Sequence, residues 1–134
     1  MSRLTIHNPD NDAHFMRVKP VKAAVRVSRA GTLLAESRNA LRVQETGKDV
    51  YDPVLYIPEA GVTGPLEPVS GKSTHCPLKG DASYFTLNGE EIAWTYDRPF
   101  EWSEQLRGHV AFYTNKVTIE ETGTDALLGR DFRH

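Results

Sequence analysis

A chain of 134 residues buries roughly two thirds of its unfolded surface on folding, enough for one core without disulfide or metal staples. Sixteen Lys and Arg against eighteen Asp and Glu leave a formal charge of -2, and the basic residues are scattered, so the stripe that a phosphate backbone requires is missing and no nucleic-acid partner is expected. No apolar run approaches the ~20 residues of a membrane span, MSRLTIHNPDNDAHF lacks the basic start and apolar stretch of a signal peptide, and the single cysteine, Cys76, has no partner for an internal disulfide; a cytoplasmic protein with no membrane partner is the expectation.

Residues 1–21 are rich in Asn, Asp and His and show no period, so they read as an N-terminal extension that packs on the domain or stays mobile. From Lys22 short β-rich runs begin: KAAVRVS, a turn at Ala30 and Gly31, TLLAES, then NALRVQE, which together make a hairpin and a third strand. In LRVQE, period two puts Leu41, Val43 and Glu45 on one face and Arg42 and Gln44 on the other, so a carboxylate continues an apolar face. Pro53 and Pro58 bracket VLYI, which suits a short edge strand. VTGPLEPVSGKSTHCPLKG is dense in Gly, Pro and Ser but apolar at intervals, and reads as an ordered loop.

ASYFTLNGEEIAWTY carries the clearest local signal, because Asn88 and Gly89 supply the positive φ angles of a two-residue hairpin turn. That turn sets Leu87 opposite Glu90, Phe85 opposite Ile92, Ser83 opposite Trp94 and Asp81 opposite Tyr96 on a core face, with Tyr84 opposite Ala93 and Thr86 opposite Glu91 on the other. DRPFEWSEQLRG suits one helical turn with Ser103 as its cap. HVAFYTNKVTIEE gives two strands around Thr114 and Asn115, and 122–134 reads as a polar tail. The pattern predicts an all-β domain over 22–121, with seven or eight short strands in a sandwich or open barrel.

Three chemistries suggest themselves. Cys76 precedes Pro77 and lies near His75 and Lys79, which favours a thiolate nucleophile; a lone cysteine is more often a small buried hydrophobe, and a nucleophile also needs a base, which Glu45 or His109 would bring from another strand. Metal binding has little support: one cysteine with His75 and His109 falls short of the paired knuckles of a zinc site, and Glu45, Asp49, Asp52, Glu59 and Asp81 show no magnesium spacing. Neither a metal nor another cofactor is expected. Tyr56, Trp94 and Tyr96 either fill core volume or wall a pocket for a planar ligand.

The succession VRVSRAGTLLAES, NALRVQETG, VLYIPEAGV, THCPLKGDASYFTL, EIAWTYDRP and GHVAFYTNKV resembles the family catalogued as domain of unknown function 427. The likeness is specific at Glu45, Tyr56, Pro58, Cys76, Pro77, Lys79, Gly80, Ala82, Tyr84, Trp94, Tyr96, Pro99, Ala111 and Phe112. It implies a β-tent, two antiparallel sheets meeting at an angle, with ligands held in the cleft between sheets. The zinc-holding cysteine pairs of many β-tent proteins are not matched here, and the family's nucleotidyltransferase-like label implies a reaction for which these residues offer no magnesium site. The expectation is a domain binding an unknown small molecule through Glu45, Tyr56, Lys79, Trp94 and Tyr96. The alternatives are a thiol-dependent enzyme using Cys76 with Lys79 and Glu45 as its catalytic groups, or the nucleotidyl transfer of the label.

Overall fold

The period-two runs become antiparallel strands in a computed structural model that describes residues 5–122. In chain order the strands are β1 (Thr5–Asn8), β2 (Asn11–Pro20), β3 (Ala24–Arg29), β4 (Thr32–Ser37), β5 (Leu41–Thr46), β6 (Val54–Pro58), β7 (Glu67–Pro68), β8 (Thr74–Cys76), β9 (Gly80–Leu87), β10 (Glu90–Pro99), β11 (His109–Phe112) and β12 (Thr118–Thr122). A nine-stranded sheet runs β1-β2-β5-β6-β11-β10-β9-β7, with β8 also paired to β9, and a three-stranded sheet runs β12-β3-β4. The fold is all-β in two antiparallel sheets, the larger curled into a half-barrel. Among the described residues the helical pieces are short 3-10 turns at Glu59–Gly61 and Glu101–Leu106, and none is long and apolar enough to cross a membrane.

Alternation sorts the large sheet's side chains onto two faces. Ile57, Val110 and Phe112 join Val25, Val27, Leu34 and Ala35 of the small sheet in one core. Their neighbours Tyr56 and Ala111 turn the other way, into a second core with Met16, Val18, Val43, Leu78 and Leu106. Burying an aliphatic side chain of this size stabilises by about 1.5–3 kcal/mol, so both faces hold the sheet.

Several expectations change. Residues 5–20 pack on the domain as strands of its large sheet: β2 pairs with β5 from Phe15↔Thr46 to Pro20↔Leu41, and Met16 and Val18 are buried. The alternation of His14, Met16 and Val18 carries this strand, too short beside an Asn/Asp-rich turn to register as a period. VLYI is no edge strand, since β6 lies between β5 and β11; Pro53 and Pro58 fall at its ends, where a missing N–H costs least. The supposed loop before Gly80 contains β7 and β8. Ser103 does not cap its turn; it is buried and donates its hydroxyl to the Leu78 carbonyl at 2.7 Å. Of 122–134, Thr122 ends β12 and the rest lies outside the described residues.

The hairpin turn sits where Asn88 (φ 53) and Gly89 (φ 83) put it, and Leu87↔Glu90 and Thr86↔Glu91 pair as expected. Beyond them the register differs. An extra residue at Ile92 sets Phe85 opposite Ala93, Tyr84 opposite Trp94 and Ser83 opposite Thr95, and a second shift sets Asp81 opposite Arg98. The bulge lets consecutive Ile92 and Ala93 both enter the core between the sheets, which strict alternation forbids.

Candidate ligand site

The shifted register builds the site. Directly opposed residues share a face, and one such row crosses five strands: Leu41↔Tyr56, Tyr56↔Ala111, Ala111↔Trp94 and Trp94↔Tyr84. The small Ala111 lets its two large neighbours meet across it, Tyr56 and Trp94 edge to face with centroids 6.4 Å apart and the indole N–H donating to the Tyr56 hydroxyl at 3.4 Å. Tyr96 lies 6.5 Å from Tyr56 and Tyr113 lies 4.9 Å from Trp94. Burial, then the nearby Glu45 and Cys76, pushes the phenol of Tyr56 far above its ordinary range; burial, then the neighbouring Tyr56 and Cys76, does the same to Tyr96. Both remain hydroxyl donors.

The Cys76–Gly80 loop delivers the cation. Leu78 is fully buried, and its carbonyl accepts from Trp102 Nε1 at 3.0 Å and Ser103 Oγ at 2.7 Å, while the Lys79 carbonyl accepts the Phe100 N–H. Gly80 has φ 119, and a Cβ there would stand 2.4 Å from the Arg98 carbonyl oxygen and 2.6 Å from Pro99 Cα, so only glycine permits this path. Held at both ends, Lys79 is 7% exposed, and its ammonium donates to Glu45 Oε1 and lies 5.6 Å from the Tyr96 centroid.

Glu45 is the hub of a hydrogen-bond chain. The Asp10 N–H donates to Asn8 Oδ1 at 2.9 Å, which turns the Asn8 amide NH₂ toward His14 Nδ1 at 3.1 Å. His14 Nδ1 therefore accepts, and Nε2 carries the proton donated to Glu45 Oε2 at 2.7 Å. Burial pushes the Glu45 carboxyl up, but the charge and hydrogen bond of Lys79, joined by those of His14, outweigh it and hold the group below the usual carboxylate range. Cys76 contributes its sulfur from the end of β8, within 4.8 Å of the nearer donor atoms of His14 and Glu45.

These groups border a cleft of about 300 Å³ whose lining includes Glu45, Tyr56, Lys79, Tyr84, Trp94 and Tyr96. A second cleft, about 390 Å³ and lined by Asn8, Asn11, His14, Lys48 and Pro77 among others, shares Tyr51 with the first. Five residues read from the sequence, Glu45, Tyr56, Lys79, Trp94 and Tyr96, thus line one cavity, with Cys76 beside the Glu45 end. His75 and His109 do not join them: His75 pairs with Asp81 at 2.7 Å on the surface, and His109 bonds the Arg107 carbonyl. Asn8, His14, Tyr51 and Tyr113 went unread as site residues, and Asp52, read only as a carboxylate without magnesium spacing, lines the cleft. For His14 a signal existed, its place two before Met16 in an alternating strand; Tyr113 carried none.

Fold and cavity together define a small all-β domain whose curled sheet offers an aromatic cleft with one buried ion pair at its end. The chain belongs to the family described as domain of unknown function DUF427, whose model matches residues 17–123. A comparison with curated proteins gives no match.

Proposed function

We propose that the domain binds a small planar molecule bearing a hydrogen-bond acceptor, laid against Trp94 and Tyr84 with the acceptor at Lys79. The observation that carries this reading is the continuous row of Tyr56, Ala111, Trp94 and Tyr84, whose aromatic members line the same cleft as the buried Lys79. Apolar walls with a few fixed polar groups are what small-molecule sites present. Glu45 takes one of the three N–H donors of Lys79, leaving the others for a ligand. A cationic ligand suits the cleft poorly, because Lys79 lies over Tyr96, Lys72 over Tyr84 at 4.3 Å and Lys116 over Tyr113 at 5.6 Å, so three of the rings already face an ammonium.

The test is a thermal-shift screen against nucleosides, nucleotides, amino acids and cyclic imides, run beside Trp94→Ala, Lys79→Met and Cys76→Ser. A ligand at about a hundred times its Kd adds roughly 2.7 kcal/mol. The expected hit disappears in the first two variants and survives in the third within a few-fold, because in this reading Cys76 and Pro77 shape the loop and do not touch the ligand. A ligand that shifts the Trp94 and Lys79 variants as much as the parent chain refutes this site.

A thiol-dependent reaction is the second reading, favoured by the closeness of Cys76 to His14 and Glu45. Against it, His14 has both ring nitrogens engaged and offers the thiol no free lone pair. Fast alkylation by iodoacetamide at slightly acidic pH supports the enzyme; labelling only on unfolding supports the binding domain. The nucleotidyl transfer suggested by the family label draws no support from the donor set among the described residues, because the cluster containing Cys76 is not the all-oxygen set that magnesium takes.

A further inference from the structure

Three separate strands bring a ring nitrogen, a carboxylate oxygen and a sulfur together at the seam between the two clefts: His14 from β2, Glu45 from β5 and Cys76 from β8. Their donor atoms all lie within 4.8 Å of one another, and the His14 and Glu45 side chains are 15% and 18% exposed. We propose that His14, Glu45 and Cys76 form an exchangeable site for a zinc-class divalent cation. Metal binding at these three residues requires no organic ligand in the aromatic cleft.

Nitrogen, oxygen and sulfur in one set suit zinc or cobalt and not the hard magnesium or calcium ions. Zinc bonds of ~2.0–2.3 Å in a tetrahedron hold ligand atoms roughly 3.5 Å apart, a value between the 2.7 Å His14–Glu45 contact and the 4.8 Å outer limit. Small side-chain movements therefore suffice. Three protein ligands leave a fourth position for water, the mark of an open site. Glu45 coordinates through Oε2 and keeps Oε1 on Lys79, which orients the carboxylate from outside. On binding, the Cys76 thiol releases its proton to solvent and a sulfur–metal bond forms; no electron changes hands.

Two neighbours oppose the ion. Lys79 places a positive charge beside it, and Asn8 selects the wrong tautomer. Coordination uses the His14 Nε2 lone pair, so the ring proton moves to Nδ1 and the Asn8 amide turns over, giving up the Asp10 N–H. An aspartate at position 8 accepts from Nδ1–H directly, the carboxylate–histidine–metal arrangement that strengthens such sites. Asn8→Asp therefore raises metal affinity, an outcome that a purely structural role for Asn8 does not produce.

The experiment is titration of the full chain, reduced and stripped by chelator, with Co²⁺, followed through the sulfur-to-cobalt charge-transfer absorption and the visible bands of tetrahedral cobalt; Zn²⁺ then displaces it. The expected result is a saturating thiolate band, absent in Cys76→Ser, with affinity lowered at least tenfold in His14→Ala and raised about tenfold or more in Asn8→Asp. Should His14→Ala fail to fold, Asn8→Asp decides alone. No thiolate band in either the parent chain or Asn8→Asp overturns the proposal. So does a band whose affinity is unmoved, or lowered, by Asn8→Asp, since that shows cobalt on the thiol without His14.

Discussion

Gly80→Ala tests how the lysine loop is held. At φ 119 the new residue leaves the regions open to L side chains, which costs about 1–3 kcal/mol. Its Cβ also meets the Arg98 carbonyl oxygen at 2.4 Å, Pro99 Cα at 2.6 Å and the Phe100 nitrogen at 2.9 Å. All three are backbone, so β10 must shift, at a further cost of about 1–3 kcal/mol. The expected loss is about 2–6 kcal/mol, read from urea unfolding with an unchanged m-value. Gly89→Ala is the control: its φ is 83 but nothing lies within 4 Å, so it carries backbone strain alone, about 1–2 kcal/mol. The difference between the variants isolates the steric cost. Equal losses would refute the claim that close backbone approach, and not φ alone, demands glycine here. The displaced loop should also move Lys79, seen as a loss of its coupling to Glu45 in side-chain NMR.

Met16→Ala, at a fully buried position on β2, should cost about 2–5 kcal/mol in urea unfolding; a loss under about 0.5 kcal/mol would show that the N-terminal hairpin contributes no core. A pH effect is expected at Glu91. The hydrogen bonds of Lys72 and Tyr113 hold its carboxyl below the usual range, so its stabilising contribution is present above the ordinary carboxylate pKa and is lost as pH falls through the lowered value. The Tyr113 ring signals should move with that acid titration and stay put in Glu91→Gln.

Legibility followed the range of the interaction that places each residue. Glu45 was readable because LRVQE alternates locally, and the Asn88–Gly89 turn because its φ angles belong to two residues alone. The CPLKG run was readable as a family signature, although its anchors, Trp102 and Ser103, are distant in sequence and gave no sign of the Leu78 carbonyl they share. The bulge at Ile92 was not readable: two consecutive apolar residues entering one core reflect a demand of the opposing sheet, which local alternation cannot express. That shift places Trp94 opposite Tyr84, so the aromatic row was visible in composition but not in geometry. His14 failed for a related reason, since three alternating positions beside an Asn/Asp-rich turn make a strand only when β5 is there to pair with it.

The Lys79–Glu45 pair separates stability from function. With side chains 9% and 18% exposed, both ions are largely desolvated, and breaking a buried pair from one side costs about 3–5 kcal/mol because the survivor is left uncompensated. Glu45 keeps its His14 hydrogen bond, so Lys79→Met should fall at or below the lower end of that range, and Glu45→Gln, which strands the charge of a buried lysine, at or above it. The double variant Lys79→Met with Glu45→Gln removes both charges and should recover much of the loss, since no buried ion is then left uncompensated. A coupling energy of about 1–3 kcal/mol in that cycle is expected. Losses that simply add would mean that the two groups do not act as a pair. A double variant as stable as the parent chain yet unable to bind the screened ligand would show that the ion pair is kept for what it does in the cleft, because the fold does not need it.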